Sequence, residues 1–123
     1  MKVLIVDDET IMLRALTRAF ESRGHNVTWA GTGGEGLDLW LKSEPDIVLI
    51  DVIMPELTGP QVIEEYRKAT GKEPRAKIIL MTAHSSVSSH KEALSLGANE
   101  FVKKPFENVF ELVQQAEKMV AGK

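Results

Sequence analysis

Residues 46–51 read Asp46-Ile47-Val48-Leu49-Ile50-Asp51, an apolar run closed at each end by an aspartate. The run has the length and β-branched content of a strand covered on both faces. Strands of that kind belong to parallel sheets, whose strand ends point to the side where ligands bind. Asp51 therefore reads as a reactive carboxylate at the tip of a buried strand. Met54-Pro55 and Thr58-Gly59-Pro60 follow it as the chain leaves the sheet.

Working outward, three more apolar stretches stop at polar groups. Val3-Leu4-Ile5-Val6 ends at Asp7-Asp8, Ile78-Ile79-Leu80-Met81 at Thr82, and Phe101-Val102 at Lys103-Lys104-Pro105. If the strands are parallel, all four polar ends meet at one edge. Carboxylates so crowded repel one another, with raised pKa values, unless a cation sits between them. No Cys or His lies on those ends, which argues for a hard, oxygen-ligated ion; Mg²⁺ is the expected one where phosphate chemistry is involved.

The elements alternate along the chain: a strand about Lys2 to Val6, a helix Thr10 to Ser22, a strand Asn26 to Ala30, a helix Gly34 to Lys42, the Asp51 strand, and two more such units. In the first helix Met12, Ala15, Leu16, Ala19 and Phe20 form the apolar stripe, Arg14, Arg18 and Glu21 face away, and Gly24 supplies the stop. Val109, Leu112, Val113, Ala116 and Val120 repeat the pattern in the last helix. Pro60 suits the first turn of a third helix that Gly71 to Pro74 ends. The Ser85, Ser86, Ser88 and Ser89 cluster reads as a mobile loop beside Thr82. Five strands alternating with five helices predict an α/β, doubly wound domain, because each right-handed crossover must cover one face of the sheet.

At 123 residues the chain is read as a single domain, 1–123, with no room for a second. Its longest apolar stretches fall far short of the roughly 20 residues a membrane helix needs, so no membrane partner is expected. Zero cysteines exclude disulfides and thiolate metal sites. With no signal-peptide succession after Met1, a cytoplasmic location is the default. A net charge of −3 and the lack of a basic stripe weigh against direct nucleic-acid binding. The tail Ala121-Gly122-Lys123 fits either a natural stop or a cut in a linker.

Several signals have an ordinary reading beside the functional one. Gly31-Thr32-Gly33-Gly34-Glu35-Gly36 matches GxGxxG letter for letter, but it follows the second strand of a short chain. It reads as a turn before the second helix, with Gly36 costing that helix about 1 kcal/mol relative to Ala. Asp7, Asp8 and Glu9 could merely favour the positive end of the first helix. That does not explain why Asp51, Thr82 and Lys104 also occupy strand ends, so Asp7 and Asp8 are assigned to a shared site and Glu9 is left with the helix. Lys103 reads as a charged loop residue, and Lys104 as the group that offsets the carboxylates and donates to a phosphoryl oxygen. The small Ala83 leaves space beside Asp51. His25, His84 and His90 show no ligand spacing and read as exposed, only His84 lying near the site. Trp29 and Trp40 read as packing, and Tyr66 carries no clear signal.

Asp7-Asp8 after the first strand, Asp51 with Met54-Pro55 after the third, Thr82-Ala83 after the fourth and Lys104-Pro105-Phe106 after the fifth together resemble the receiver domain of bacterial two-component response regulators. The resemblance covers the whole chain. It implies a flavodoxin-like (βα)5 domain with a five-stranded parallel sheet in the order 2-1-3-4-5. It implies that Asp51 accepts a phosphoryl group from a sensor histidine kinase or a histidine phosphotransfer protein. Asp7, Asp8, Asp51 and the backbone carbonyl of Ile53 would hold Mg²⁺. Thr82, the Ala83 N–H and Lys104 would bind the phosphoryl oxygens, and Thr82 and Phe101 would form the switch. The chain would then be a phosphorylation-switched regulator, not a turnover enzyme, acting on a downstream protein target or output domain, with a homodimer formed on phosphorylation as one route. Two departures, Gly36 and Thr58, do not touch the chemistry.

Three rivals fit less well. A phosphatase of the haloacid dehalogenase type needs an acid two residues after its nucleophile, where this chain has Ile53. A flavin carrier needs a phosphate-binding loop where Asp7-Asp8-Glu9 would repel the phosphate. A phosphorylation-independent interaction module would be expected to lack Asp51 or the acid pair.

Overall fold

The apolar runs form five parallel strands, β1 (Lys2–Val6), β2 (Asn26–Ala30), β3 (Ile47–Asp51), β4 (Lys77–Thr82) and β5 (Glu100–Lys103), in the order β2-β1-β3-β4-β5. This is the flavodoxin-like arrangement expected from the sequence. The helices between and after them are α1 (Thr10–Glu21), α2 (Gly33–Ser43), α3 (Gly59–Thr70), α4 (His90–Ser95) and α5 (Val109–Ala121). The computed structural model describes residues 1–83, 90–106 and 108–122. The serine cluster, His84 and the side chain of His90 lie outside the described residues.

Central β3 is buried at every position, as its unbroken apolar run requires. Leu4, Val6, Val48, Ile50, Ile78 and Leu80 pack on Trp40, Val62 and Ile63 from α2 and α3. Their strand neighbours Val3, Ile5, Ile47, Leu49, Ile79 and Met81 pack on α1 and α5 through Leu16, Phe20, Leu112 and Val113. The period of two along each strand thus feeds two separate cores.

The α1 stripe is shifted from its prediction: Leu13 is buried with Leu16, Ala19 and Phe20, while Met12 and Ala15 are half-buried. In α5, Leu112, Val113 and Ala116 are buried as expected. A capping box starts α3: Thr58 Oγ1 accepts from the Gln61 N–H at 3.2 Å, and Gln61 Oε1 accepts from the Thr58 N–H at 2.8 Å. Gly71, at φ 68°, closes that helix.

The glycine-rich segment is mostly helix, not turn, since α2 already starts at Gly33. A Cβ at Gly36 would lie 2.8 Å from both Val6 methyl groups, so its absence lets α2 settle on β1. Against a stiff, buried valine, overpacking costs about 1–3 kcal/mol, which exceeds the helix propensity an alanine would add. Gly36 is therefore a packing requirement.

Three aromatic or histidine readings also change or sharpen. Trp29 is 57% exposed because β2 is an edge strand, so it is not a packing residue. Trp40 is buried and stacks on Tyr66 with ring centroids 4.5 Å apart. His25 is half-buried, with Nε2 2.6 Å from Glu117 Oε2 and its ring edge-on to Phe20.

Candidate functional site

Because all five strands run the same way, the chain leaves β1, β3, β4 and β5 at one edge of the sheet. Register places Asp51 beside Met81 and Thr82 beside Lys103, so the predicted residues arrive as neighbours. Among the described residues, the buried polar or charged ones are Asp7, Asp51, Thr82 and Lys104, and all four lie here. Burying such groups is costly unless they are paired, so their concentration at one edge marks a site built for chemistry.

Lys104 is the centre of the cluster. Its Nζ lies 2.9 Å from Asp51 Oδ2, 2.8 Å from Asp7 Oδ2 and 2.5 Å from Glu9 Oε1. The contacts to Asp51 and Glu9 are hydrogen bonds. Asp7 Oδ2 has the ammonium as an ion-pair neighbour but receives no hydrogen bond, although it is shielded from solvent. The other Asp7 oxygen accepts the Glu9 N–H at 2.9 Å, and Asp51 Oδ1 accepts the Ile53 N–H at 3.2 Å. The Lys104–Pro105 peptide is cis.

Burial raises the Asp7 pKa above the usual aspartate range, against the lowering effect of Lys104 and the Glu9 N–H. Burial by itself would lower the pKa of Lys104. Its contacts with Asp7, Glu9 and Asp51 outweigh that and hold it above the usual lysine range, so it stays charged.

Asp8 is exposed, yet carboxylate oxygens of Asp7, Asp8 and Asp51 lie within 4.8 Å of one another. Three carboxylates at that spacing, with no nitrogen or sulfur donor and one buried oxygen lacking a hydrogen bond, fit a hard divalent cation. Ile53 sits in the exposed loop after Asp51, and Ala83 is exposed immediately after Thr82. Phe101 is half-buried, pairs in register with Leu80, and packs on the core that includes Ala93 and Ala98.

Two members of the site escaped the sequence reading. Glu9 is not an acid serving the end of α1: it holds the N-cap position without capping the helix, and its side chain turns to Lys104. The signal available was the third acid of a run beginning at a strand end. Gly59 is the other, because a Cβ there would lie 2.5 Å from the Asp51 carbonyl oxygen. Its N–H donates to Val52 O at 3.0 Å, fastening the start of α3 under the Asp51 loop.

A cavity of about 450 Å³ between α1 and β2 reaches the acids, its wall including Asp7, Asp8, Thr10, Arg14 and Trp29. Another of about 550 Å³ lies at the opposite end of the sheet, beside Lys77, Asn99 and Glu100. It gathers no comparable set of buried charges.

The family model for the response regulator receiver domain matches residues 3–117. The chain belongs to that family. It is 41% identical over 106 residues to the regulatory protein AtoC of Escherichia coli strain K12, a match covering 86% of this chain and 22% of the relative. It is 39% identical over 105 residues to the transcriptional regulatory protein YkoG of Bacillus subtilis strain 168, covering 85% and 45%. The chain thus spans less than half the length of these relatives. A CheY-like receiver domain protein from Methanospirillum hungatei JF-1 superposes with a TM-score of 0.86 at 28% identity, covering 98% of this chain and 94% of that one. The receiver domain of Francisella response regulator 1452 gives 0.85 at 28% identity, covering 98% and 97%. Receiver domains are regulatory signalling units of two-component systems, acting as phosphoacceptors and generally binding Mg²⁺ at an acidic aspartate cluster.

Proposed function

We propose that residues 1–123 act as one receiver unit in which Asp51 takes a phosphoryl group from a phosphohistidine on a sensor kinase or phosphotransfer protein. The observation that carries this reading is Asp51 itself, a buried carboxylate at a strand tip with Lys104 2.9 Å away and two acids beside it. An Asp51 oxygen forms a bond to phosphorus as the phosphorus–nitrogen bond breaks, and the imidazole leaves with the electron pair. Lys104 is placed to neutralise the transferred group, with Thr82 and the Ala83 N–H as further donors. The Ile53 N–H orients the nucleophile through Asp51 Oδ1. Attack of water on the same phosphorus would return Asp51 to its free form.

Asp7, Asp8, Asp51 and the Ile53 carbonyl are the residues that would hold Mg²⁺. When bound, the ion supplies positive charge that offsets the repulsion between an anionic nucleophile and an anionic phosphoryl group.

The output is a conformational change. Thr82 drawn toward the modified Asp51 frees space for Phe101 to turn, which alters the surface formed by α4, β5 and α5 for a protein target, an output domain or a second copy of the chain. Direct DNA binding is not part of this reading. Among the described residues no helix is long and apolar enough to cross a bilayer, and a cytoplasmic setting is proposed because it suits a kinase-fed signal.

Incubation with a small acyl phosphate and Mg²⁺ should add one base-labile phosphate, and Asp51→Asn should abolish it. Phosphate persisting in Asp51→Asn would overturn the assignment.

A further inference from the structure

Glu9 stands out from the other partners of Lys104. Asp7 and Asp51 are enclosed with it, whereas the Glu9 side chain is 60% exposed. Glu9 comes from the start of α1 and meets an ammonium 95 positions away, giving up the capping role its position offers. Its backbone is pinned, because its own N–H is held by Asp7 Oδ1. The carboxylate therefore hangs at the mouth of the site on a fixed anchor.

An ammonium has three N–H donors, and three carboxylate oxygens surround this one within 2.9 Å. Two of the three are hydrogen-bonded to it, so a phosphoryl oxygen on Asp51 must compete with carboxylates already gathered around Lys104. Asp7 is shielded from solvent, so water cannot take the place of Lys104 there. Glu9, its own side chain largely exposed, can exchange Lys104 for water at less cost than the enclosed acids can.

We propose that Glu9 is a positioning residue that holds Lys104 at rest and competes with the phosphoryl group on Asp51 for it. The inference rests on Asp51 being the phosphoacceptor. Glu9 then sets how firmly a phosphoryl-shaped anion is held, and it works against that anion both by occupying Lys104 and by its own charge.

The test uses the whole chain at saturating Mg²⁺, titrated with beryllium trifluoride as the phosphoryl-shaped anion and followed by backbone amide shifts. Glu9→Gln should bind it roughly three- to tenfold more tightly than the unmodified chain. Glu9→Asp keeps the charge on a shorter arm, so it too should bind more tightly than the unmodified chain. Mg²⁺ titrated alone should bind Glu9→Gln no more tightly than it binds the unmodified chain. Unchanged or weaker anion binding by Glu9→Gln overturns the proposal, as does unmodified-level binding by Glu9→Asp. A gain in Mg²⁺ affinity equal to the anion gain would also overturn it, because the effect would then belong to the metal. If the unmodified chain and Asp51→Asn bind the anion equally, the phosphoacceptor reading itself fails and this proposal falls with it.

Discussion

At the Asp51 end of the sheet one ammonium serves three carboxylates, whereas beside the α1–β2 turn one carboxylate serves two bases. Glu117 of α5 lies 2.9 Å from Arg23 Nε and 2.6 Å from His25 Nε2, joining parts of the chain more than 90 positions apart, as Lys104 does. Both clusters have short contacts. They differ in surplus and in shelter. The first has more acid than base and is enclosed; the second has no excess acid and is half-open to water.

The carboxyl groups respond in opposite directions. Burial raises the pKa of Asp7, so the folded state holds its proton more tightly than the unfolded chain. Arg23 and then His25, through their hydrogen bonds, lower the Glu117 pKa to about 2 from 4.5. As pH rises above 3.8, Asp7 therefore withdraws stability across its raised range. Glu117 contributes stability that is complete above 4.5 and is lost as pH falls toward about 2. An acid group retained at a cost differs from one that serves only to join two elements, and the former is the mark of a functional site.

The most forceful way to break the comparison is to remove the shared cation. Lys104→Met leaves Asp7 and Asp51 enclosed without their ammonium, and metal-free protein should lose about 2–3 kcal/mol in urea unfolding at neutral pH. That is below the loss for a fully enclosed pair because Asp8 and Glu9 open onto solvent. Added Mg²⁺ should recover part of it. An unchanged midpoint would mean that the acids are not strained by their crowding.

Asp7→Asn should act in the opposite sense and stabilise the metal-free chain by about 1 kcal/mol at neutral pH, since it removes a costly buried charge while Lys104 keeps Asp51 and Glu9. It should also flatten the rise in stability that mild acid gives through Asp7. Loss of stability at neutral pH would reverse the reading of that cluster.

Glu117→Gln should have the smallest effect, lowering the melting temperature by a few degrees at most at neutral pH, because the contacts it loses are partly exposed. Its signature is the pH profile. Melting temperatures of the variant and the unmodified chain should converge as pH falls from 4.5 toward 2. A gap that stays constant through that window would remove Glu117 as the acid-sensitive link.

Most of the site was legible in the sequence, and the reason lies in strand ends. Asp7, Asp51 and Thr82 each follow an apolar run with the length of a buried strand, Lys104 comes just after the short Phe101-Val102 run of the half-buried edge strand β5, and parallel strands deliver such residues to one edge whatever their loops do. The strand order came with the family resemblance, and the observed pairing agrees with it. Glu9 was misread because its nearest neighbour in sequence is a helix start, for which an acid needs no further explanation. His25 was misread for a related reason: nothing local announces that α5 brings Glu117 to it.

The sequence by itself determined the elements and the chemistry at their ends, because hydrophobic period, turn residues and strand length are properties of neighbouring residues. Tertiary structure decided the rest. Trp29 is exposed only because β2 lies at the edge of the sheet. Gly36 is required only because Val6 of β1 passes under α2, and Gly59 only because the Asp51 carbonyl passes beside α3. Glu9 joins the site only because the end of β5 carries Lys104 across to the start of α1. Each depends on which distant element comes alongside, and a short-range pattern holds no record of that.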